Sequence, residues 1–252
     1  MIIVLSPAKS LDGSPIRIPR SATTPVFQAE SRELAEKLKK MSAARLRKLM
    51  DISPELAALN HARYQAWDGA PQVKPAVLMF NGEAYRGLGA GSLDGDDLRF
   101  TQRHLRILSG LYGLLRPMDL IAPHRLEMGT KLSMGRGKKD LYGFWGDRIT
   151  TELNGALRKS GSEVLVNLAS AEYFKSVRTE QLAARVITPV FKERTAGGLR
   201  MVTVYAKHQR GALCRYIIQR RLVDPEGIKQ YDGDGYRYES EGSSNDEWLF
   251  VR

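Results

Sequence analysis

The chain has one cysteine, Cys214, in 252 residues. That excludes an internal disulfide framework and a multi-thiolate metal site. It suits a reducing compartment, and a cytoplasmic location is expected. Long apolar runs are also missing. The opening MIIVLSPAKS holds a short apolar run with no basic segment before it and no small-residue cleavage site after it, so a strand is expected there rather than a signal peptide. Nothing elsewhere approaches the ~18 apolar residues of a membrane span, so no membrane partner is expected. Histidine is sparse. His61, His104, His124 and His208 are scattered without metal-ligand spacing, and neither a metal nor a cofactor is expected. A Walker loop, a dinucleotide fingerprint and a Gly-x-Ser-x-Gly elbow are all absent, so no established catalytic motif is present.

Acidic residues are few in one stretch and missing from another in a chain whose net charge is +11. From Arg103 to Lys139 the bases are Arg103, Arg106, Arg116, Arg125, Lys131, Arg136, Lys138 and Lys139, against only Asp119 and Glu127. From Lys207 to Arg221 the bases Lys207, Arg210, Arg215, Arg220 and Arg221 meet no acid at all. Segregated positive charge of this kind points to a polyanion, above all nucleic acid. The run from Lys37 to Lys48 reads differently. Glu30, Glu33 and Glu36 stand near it at helical spacing, as on a solvated helix face.

Composition is that of a globular protein, with 42% hydrophobic and 27% charged residues. Ile2 to Leu5 reads as a buried strand, Ser10 to Thr24 as a surface loop, and Leu34 to Met50 as two amphipathic helices. Ser53-Pro54 supplies a cap and a first-turn proline for a helix running to about Trp67. The apolar run Pro75 to Phe80 reads as a second buried strand. Asp96 to Leu108 reads as a helix, as do Leu141 to Leu157, Ala171 to Val177 and Ala212 to Leu222. Further strands are expected at Glu163 to Leu168, at Val186 to Phe191 and Leu199 to Ala206 about the Gly197-Gly198 turn, and at Tyr236 to Tyr238 and Trp248 to Val251. With no clear linker, residues 1–252 read as one α/β domain with a mixed sheet and surrounding helices.

Ligands of parallel sheets bind outside the carboxyl ends of the strands. Four expected strands run into polar clusters: Ser6 and Lys9; Asn81 and Glu83; Asn167 and Ser170 with Glu172 and Lys175; and Lys207. If they meet, Lys9, Asn81, Glu83, Glu172, Lys175 and Lys207 would line the cleft of an enzyme acting on a nucleotide or nucleic acid. Singly, each has an ordinary structural role, such as turn chemistry at Asn81-Gly82 or helix capping at Ser170. In Ser109-Gly-Leu-Tyr-Gly113, two glycines three apart suit a tight hairpin whose amides meet a phosphate. Close core packing explains them equally well.

Together the motifs SPAKSLD (6–12), FNGEAYRGL (80–88), ILSGLYGLLRPMDLI (107–121), RLEMGTKL (125–132), LYGFWGD (141–147), NLASAEYFK (167–175), VFKE (190–193) and AKHQRGALCRYII (206–218) resemble the bacterial peroxide-stress protein YaaA family, nearly end to end and in order. The resemblance implies a cytosolic protein of the hydrogen peroxide response that keeps unincorporated iron low and limits Fenton damage to DNA. It also implies binding of duplex or branched DNA through a basic cleft, on an α/β fold with a helix-hairpin-helix element, which would fall at Ser109–Gly113. No catalytic activity is implied. On this reading the DNA-binding residues are Arg103, Arg106, Arg116, Lys131, Lys138, Lys139, Lys207, Arg210 and Arg215, with Gly110 and Gly113 shaping the hairpin. The expected partner is double-stranded or branched DNA, and no protein partner is predicted.

Overall fold

A computed structural model describes residues 1–67, 73–135 and 137–252. Its first strand, β1 (Ile2–Leu5), is followed by helices α1 (Gln28–Lys39), α2 (Ala43–Met50) and α3 (Pro54–Gln65). Ser42 and Ser53 cap α2 and α3, each side chain accepting from a backbone N–H three residues on. The chain continues through β2 (Lys74–Pro75), α4 (Ala76–Met79), α5 (Glu83–Leu88), α6 (Gly95–His104), β3 (Leu105–Ser109), β4 (Gly113–Leu115) and β5 (Leu120–Ile121). Then come α7 (Leu141–Trp145), α8 (Arg148–Ser160), β6 (Val164–Leu168), α9 (Ala171–Phe174), β7 (Arg185–Thr195), β8 (Gly198–Arg200), α10 (Thr203–Gln219), β9 (Arg237–Glu239) and β10 (Glu247–Val251).

The main sheet has the order β4-β3-β1-β6-β7-β10-β9, with β8 paired to β7. Its middle strands, β3, β1, β6, β7 and β10, are parallel, while β4, β8 and β9 add antiparallel margins. The fold is therefore α/β with a mixed sheet, as expected. Ile2–Leu5 is fully buried, which explains its unbroken apolar sequence: a parallel strand covered on both faces has no polar side to show. Helix α10 packs on α5 and on β7, and α8 packs on β1 and β4.

Several expectations are corrected. Pro75 to Phe80 is not a strand. After two residues of β2 it coils into α4, whose Ala76, Val77 and Met79 are buried. A four-residue apolar run carries no period, and Ala, Leu and Met favour the helical turn. The helix expected to reach Leu108 stops at His104, and the chain enters β3 directly, where Leu105 to Ile107 pair with Ile3 to Leu5. Leu141 to Leu157 is broken at Gly146, whose φ of 51° ends α7. The strand expected through Ala206 ends at Arg200, and Lys207 stands on α10.

The segment Ser109–Gly113 is not a helix-hairpin-helix element. It turns β3 into β4, and every residue from Leu105 to Leu115 is buried. A Cβ on Gly110 would sit 2.2 Å from the carbonyl oxygen of Leu126, and Gly113, at φ +67°, lies against the Trp145 ring. The Trp145 indole donates to the Gly110 carbonyl at 3.0 Å. These glycines allow close core packing, and their buried amides are out of a phosphate's reach.

His124 is buried against the rings of Phe80 and Tyr112, with Nδ1 2.9 Å from the carbonyl oxygen of Ala122. Burial pulls its pKa down to about 4. The unfolded chain takes up this proton near pH 6.5, whereas the folded chain does not. Stability therefore falls by about 1.4 kcal/mol per pH unit between those values. The expected result is a urea midpoint that declines as pH falls below neutrality, and a shallower decline in His124→Asn. Equal slopes in the two proteins would contradict this assignment.

Candidate functional site

The carboxyl ends of β1 and β6 lie side by side. The Ser170 amide donates to Ser6 Oγ at 2.8 Å, tying the two loops together. Just beyond them opens a cleft of ≈ 570 Å³ lined by Lys9, Lys48, Leu49, Met50, Asp51, Arg125, Glu127, Gly129, Thr130, Lys131 and Glu172. Its wall is the loop 125–132, which passes over the β3–β4 turn where Gly110 lets the Leu126 carbonyl come close. The buried Tyr64 hydroxyl donates to the Arg125 carbonyl at 2.9 Å, anchoring the loop to α3.

Glu127 receives two cations. Lys9 Nζ lies 2.7 Å from one carboxylate oxygen, and Arg125 Nη2 donates to the other at 2.9 Å. Arg125 Nε is buried without a hydrogen-bond partner among the described residues. Glu172 Oε1 accepts from the Gly129 amide at 2.9 Å. Among the described residues, Lys48 and Lys131 form no ion pair. The cleft thus presents free ammonium groups beside carboxylates that are only partly engaged.

Of the six residues expected to meet at the strand ends, only Lys9 and Glu172 share this cleft. Lys175 is close by, with its ammonium 5.1 Å from the centre of the Tyr142 ring, whose hydroxyl donates to the Glu172 carbonyl. Asn81 lines a different cavity with Asp12, Ser14, Lys74 and Arg86. There the buried Lys74 ammonium is used up by Asp12 Oδ2 at 2.9 Å and by two oxygens of Ser14. The Ser14 hydrogen bond and Lys74 together hold the Asp12 carboxyl far below its ordinary pKa. Glu83 pairs with Arg86 on its own helix, and Lys207 is exposed on α10. These positions scatter because the second expected strand is helical and the fourth ends at Arg200, before α10 begins.

The basic residues also divide by use. Arg106 is 8% exposed, and its Nη1 donates to the carbonyls of Gln102, Arg103 and Leu105, closing the end of α6. Arg116 holds the buried Asp119 and the Thr24 carbonyl. Arg215 donates to the carbonyls of Leu88 and Gly89 and to Ser92, closing the end of α5. Lys138 sits over the Phe144 ring. Arg103, Lys131, Lys139 and Lys207 are exposed, and no ion pair engages them among the described residues. Arg210 is half-buried, no ion pair engages it among the described residues, and burial lowers its pKa. Arg136 lies outside the described residues.

Sequence reasoning missed Lys48, Asp51, Arg125, Glu127 and Thr130 as lining residues. Of the three acids set beside the Lys37–Lys48 run, Glu30 pairs with Arg148, and Lys48 lines the cleft. No local pattern signals this, because the partner lies over a hundred residues away.

No helix among the described residues is long and apolar enough to cross a membrane, and no three His, Cys, Asp or Glu side chains among them are grouped to hold a metal ion. Cys214 is buried, and burial pushes its thiol pKa up to about 12, so the nucleophilic thiolate is suppressed. A neutral-pH thiol titration of the folded protein is expected to find no reactive group, and the urea-unfolded chain one. Prompt labelling of the native protein would contradict this placement.

The peroxide stress protein YaaA family matches this chain over residues 1–242. A UPF0246 protein of Ralstonia pickettii is 50% identical over 255 residues, covering 100% of this chain and 99% of its own. One from Paraburkholderia phytofirmans is 48% identical over 257 residues, covering 100% and 98% respectively. One from Laribacter hongkongensis is 49% identical over 257 residues, covering 100% and 99%. A chain matched along nearly its whole length belongs to the peroxide stress protein YaaA family, and its role lies in the response to peroxide stress.

Proposed function

We propose that this protein acts in the peroxide response by binding duplex or branched DNA through its unpaired basic residues, and that this binding helps keep unincorporated iron and the resulting DNA damage low. The observation that carries the reading is the run from Arg194 to Val223, which contains no acid and includes Arg200, Lys207, Arg210 and Arg220. Lys207 and Arg210 stand on one helix, separated by less than one turn. Arg103, Lys131 and Lys139 add positive charge from the other basic stretch. Such charge meets phosphates by counterion release and reads the backbone rather than base identity.

The reading is tested in a bacterial host lacking its own copy, challenged with hydrogen peroxide while intracellular unincorporated iron is followed by electron paramagnetic resonance. The wild-type chain restores low iron, and a chain with Arg103, Lys131 and Arg210 all changed to alanine does not. Full restoration by the triple variant, expressed at the same level, would overturn the link between DNA binding and the peroxide response.

A further inference from the structure

The cleft at the ends of β1 and β6 is poorly suited to a duplex. A DNA backbone presents phosphate after phosphate, and this cavity places Glu127, Glu172 and Asp51 among its cations. Carboxylates repel phosphates but accept hydrogen bonds from hydroxyl groups. A ligand that satisfies both sets of groups carries a phosphate at one end and hydroxyls at the other. The volume, ≈ 570 Å³, is in the range of small-molecule sites.

We propose that this cleft binds a phosphorylated sugar, free or as the sugar phosphate of a mononucleotide. Lys48 and Lys131 meet its phosphate, since both line the cavity and neither is paired among the described residues. Arg125 supplies a third cation. Its Nη2 donates to Glu127 at 2.9 Å, which holds the guanidinium at the wall of the cleft. Glu172 faces the hydroxyls. Its Oε1 is fixed by the Gly129 amide, which orients the carboxylate and leaves Oε2 without a hydrogen-bond partner among the described residues. Lys9 neutralises Glu127 at the rim, at 2.7 Å. The site shares Lys131 with the duplex reading, which otherwise rests on residues outside this cleft.

Isothermal titration of the full chain with ribose 5-phosphate, adenosine 5′-monophosphate and unphosphorylated ribose tests the assignment. Both phosphorylated compounds are expected to bind, and ribose is not. Lys48→Ala weakens their binding about tenfold by removing a charge-assisted hydrogen bond to the phosphate. Glu172→Gln, nearly isosteric, weakens ribose 5-phosphate but does not weaken inorganic phosphate, which loses a repelling charge, a separation that general loss of structure would not give. Tighter binding of the nucleotide than of ribose 5-phosphate supports the site with a nucleotide as the source, and equal binding supports it with a free sugar phosphate. Absence of binding by both compounds, or identical binding in wild type and Lys48→Ala, overturns the proposal. A chain that binds duplex but neither compound leaves the duplex reading standing, and the reverse pattern overturns that reading alone.

Discussion

Changing Arg103, Lys131 and Arg210 together to alanine lowers duplex affinity about a hundredfold at moderate salt and flattens the dependence of log K on log salt by roughly 2.7, at about 0.9 for each phosphate no longer neutralised. No ion pair or side-chain hydrogen bond engages these three among the described residues. Arg103 and Lys131 are exposed, and Arg210 is half-buried. Arg106, Arg116 and Arg215 sit in the same basic stretches, but their guanidinium groups are spent on carbonyls and on Asp119. Changing them would damage helix ends and a buried ion pair, and a loss of DNA binding would then report on folding. Fluorescence anisotropy with a labelled duplex over a series of salt concentrations reads both quantities. An unchanged slope in the triple variant would remove these residues from the interface.

Valine at Gly211 destabilises the protein by about 3 kcal/mol or more, enough to unfold a marginal domain. A Cβ at Gly211 would lie 1.7 Å from the Ala84 carbonyl oxygen and 2.6 Å from its carbon. The close approach is reciprocal: a Cβ at Gly87 would lie 2.3 Å from the His208 carbonyl oxygen. Helices α5 and α10 therefore cross with backbone against backbone, and no flexible side chain stands between them to yield. This crossing fixes α10, with Lys207 and Arg210 on it, relative to the Asn81–Gly82 entry of α5. Urea unfolding of Gly211→Val measures the effect, and a wild-type midpoint would contradict the crossing.

The parts of the fold legible in the sequence are those specified locally. Ile2–Leu5 and Val164–Leu168 announce themselves because a strand buried on both faces is apolar throughout. The α3 start is legible because Ser53 and Pro54 act on the backbone within one turn. Ala76–Met79 is illegible because a run that short fits either a strand or one helical turn. Leu105–Ser109 reads as a helix until β1 is in place beside it, since its pairing partners lie about a hundred residues earlier. The site divides in the same way. Lys9 and Glu172 could be anticipated from the ends of adjacent parallel strands, whereas Lys48 and Arg125 reach the cleft through α2 and a loop with no regular structure. Identifying them required knowing that Gly110 seats that loop, and the two glycines of that turn had an equally good reading as a phosphate nest.

The central claim is that unpaired positive charge on this protein engages the phosphates of DNA. The most direct measurement is the wild-type affinity for one duplex over a range of salt concentration at fixed pH. A linear log–log plot falling with a slope steeper than about −2.7 is predicted, corresponding to at least the three phosphates assigned to Arg103, Lys131 and Arg210. Affinity that is independent of salt, or no binding even at low salt, would contradict it.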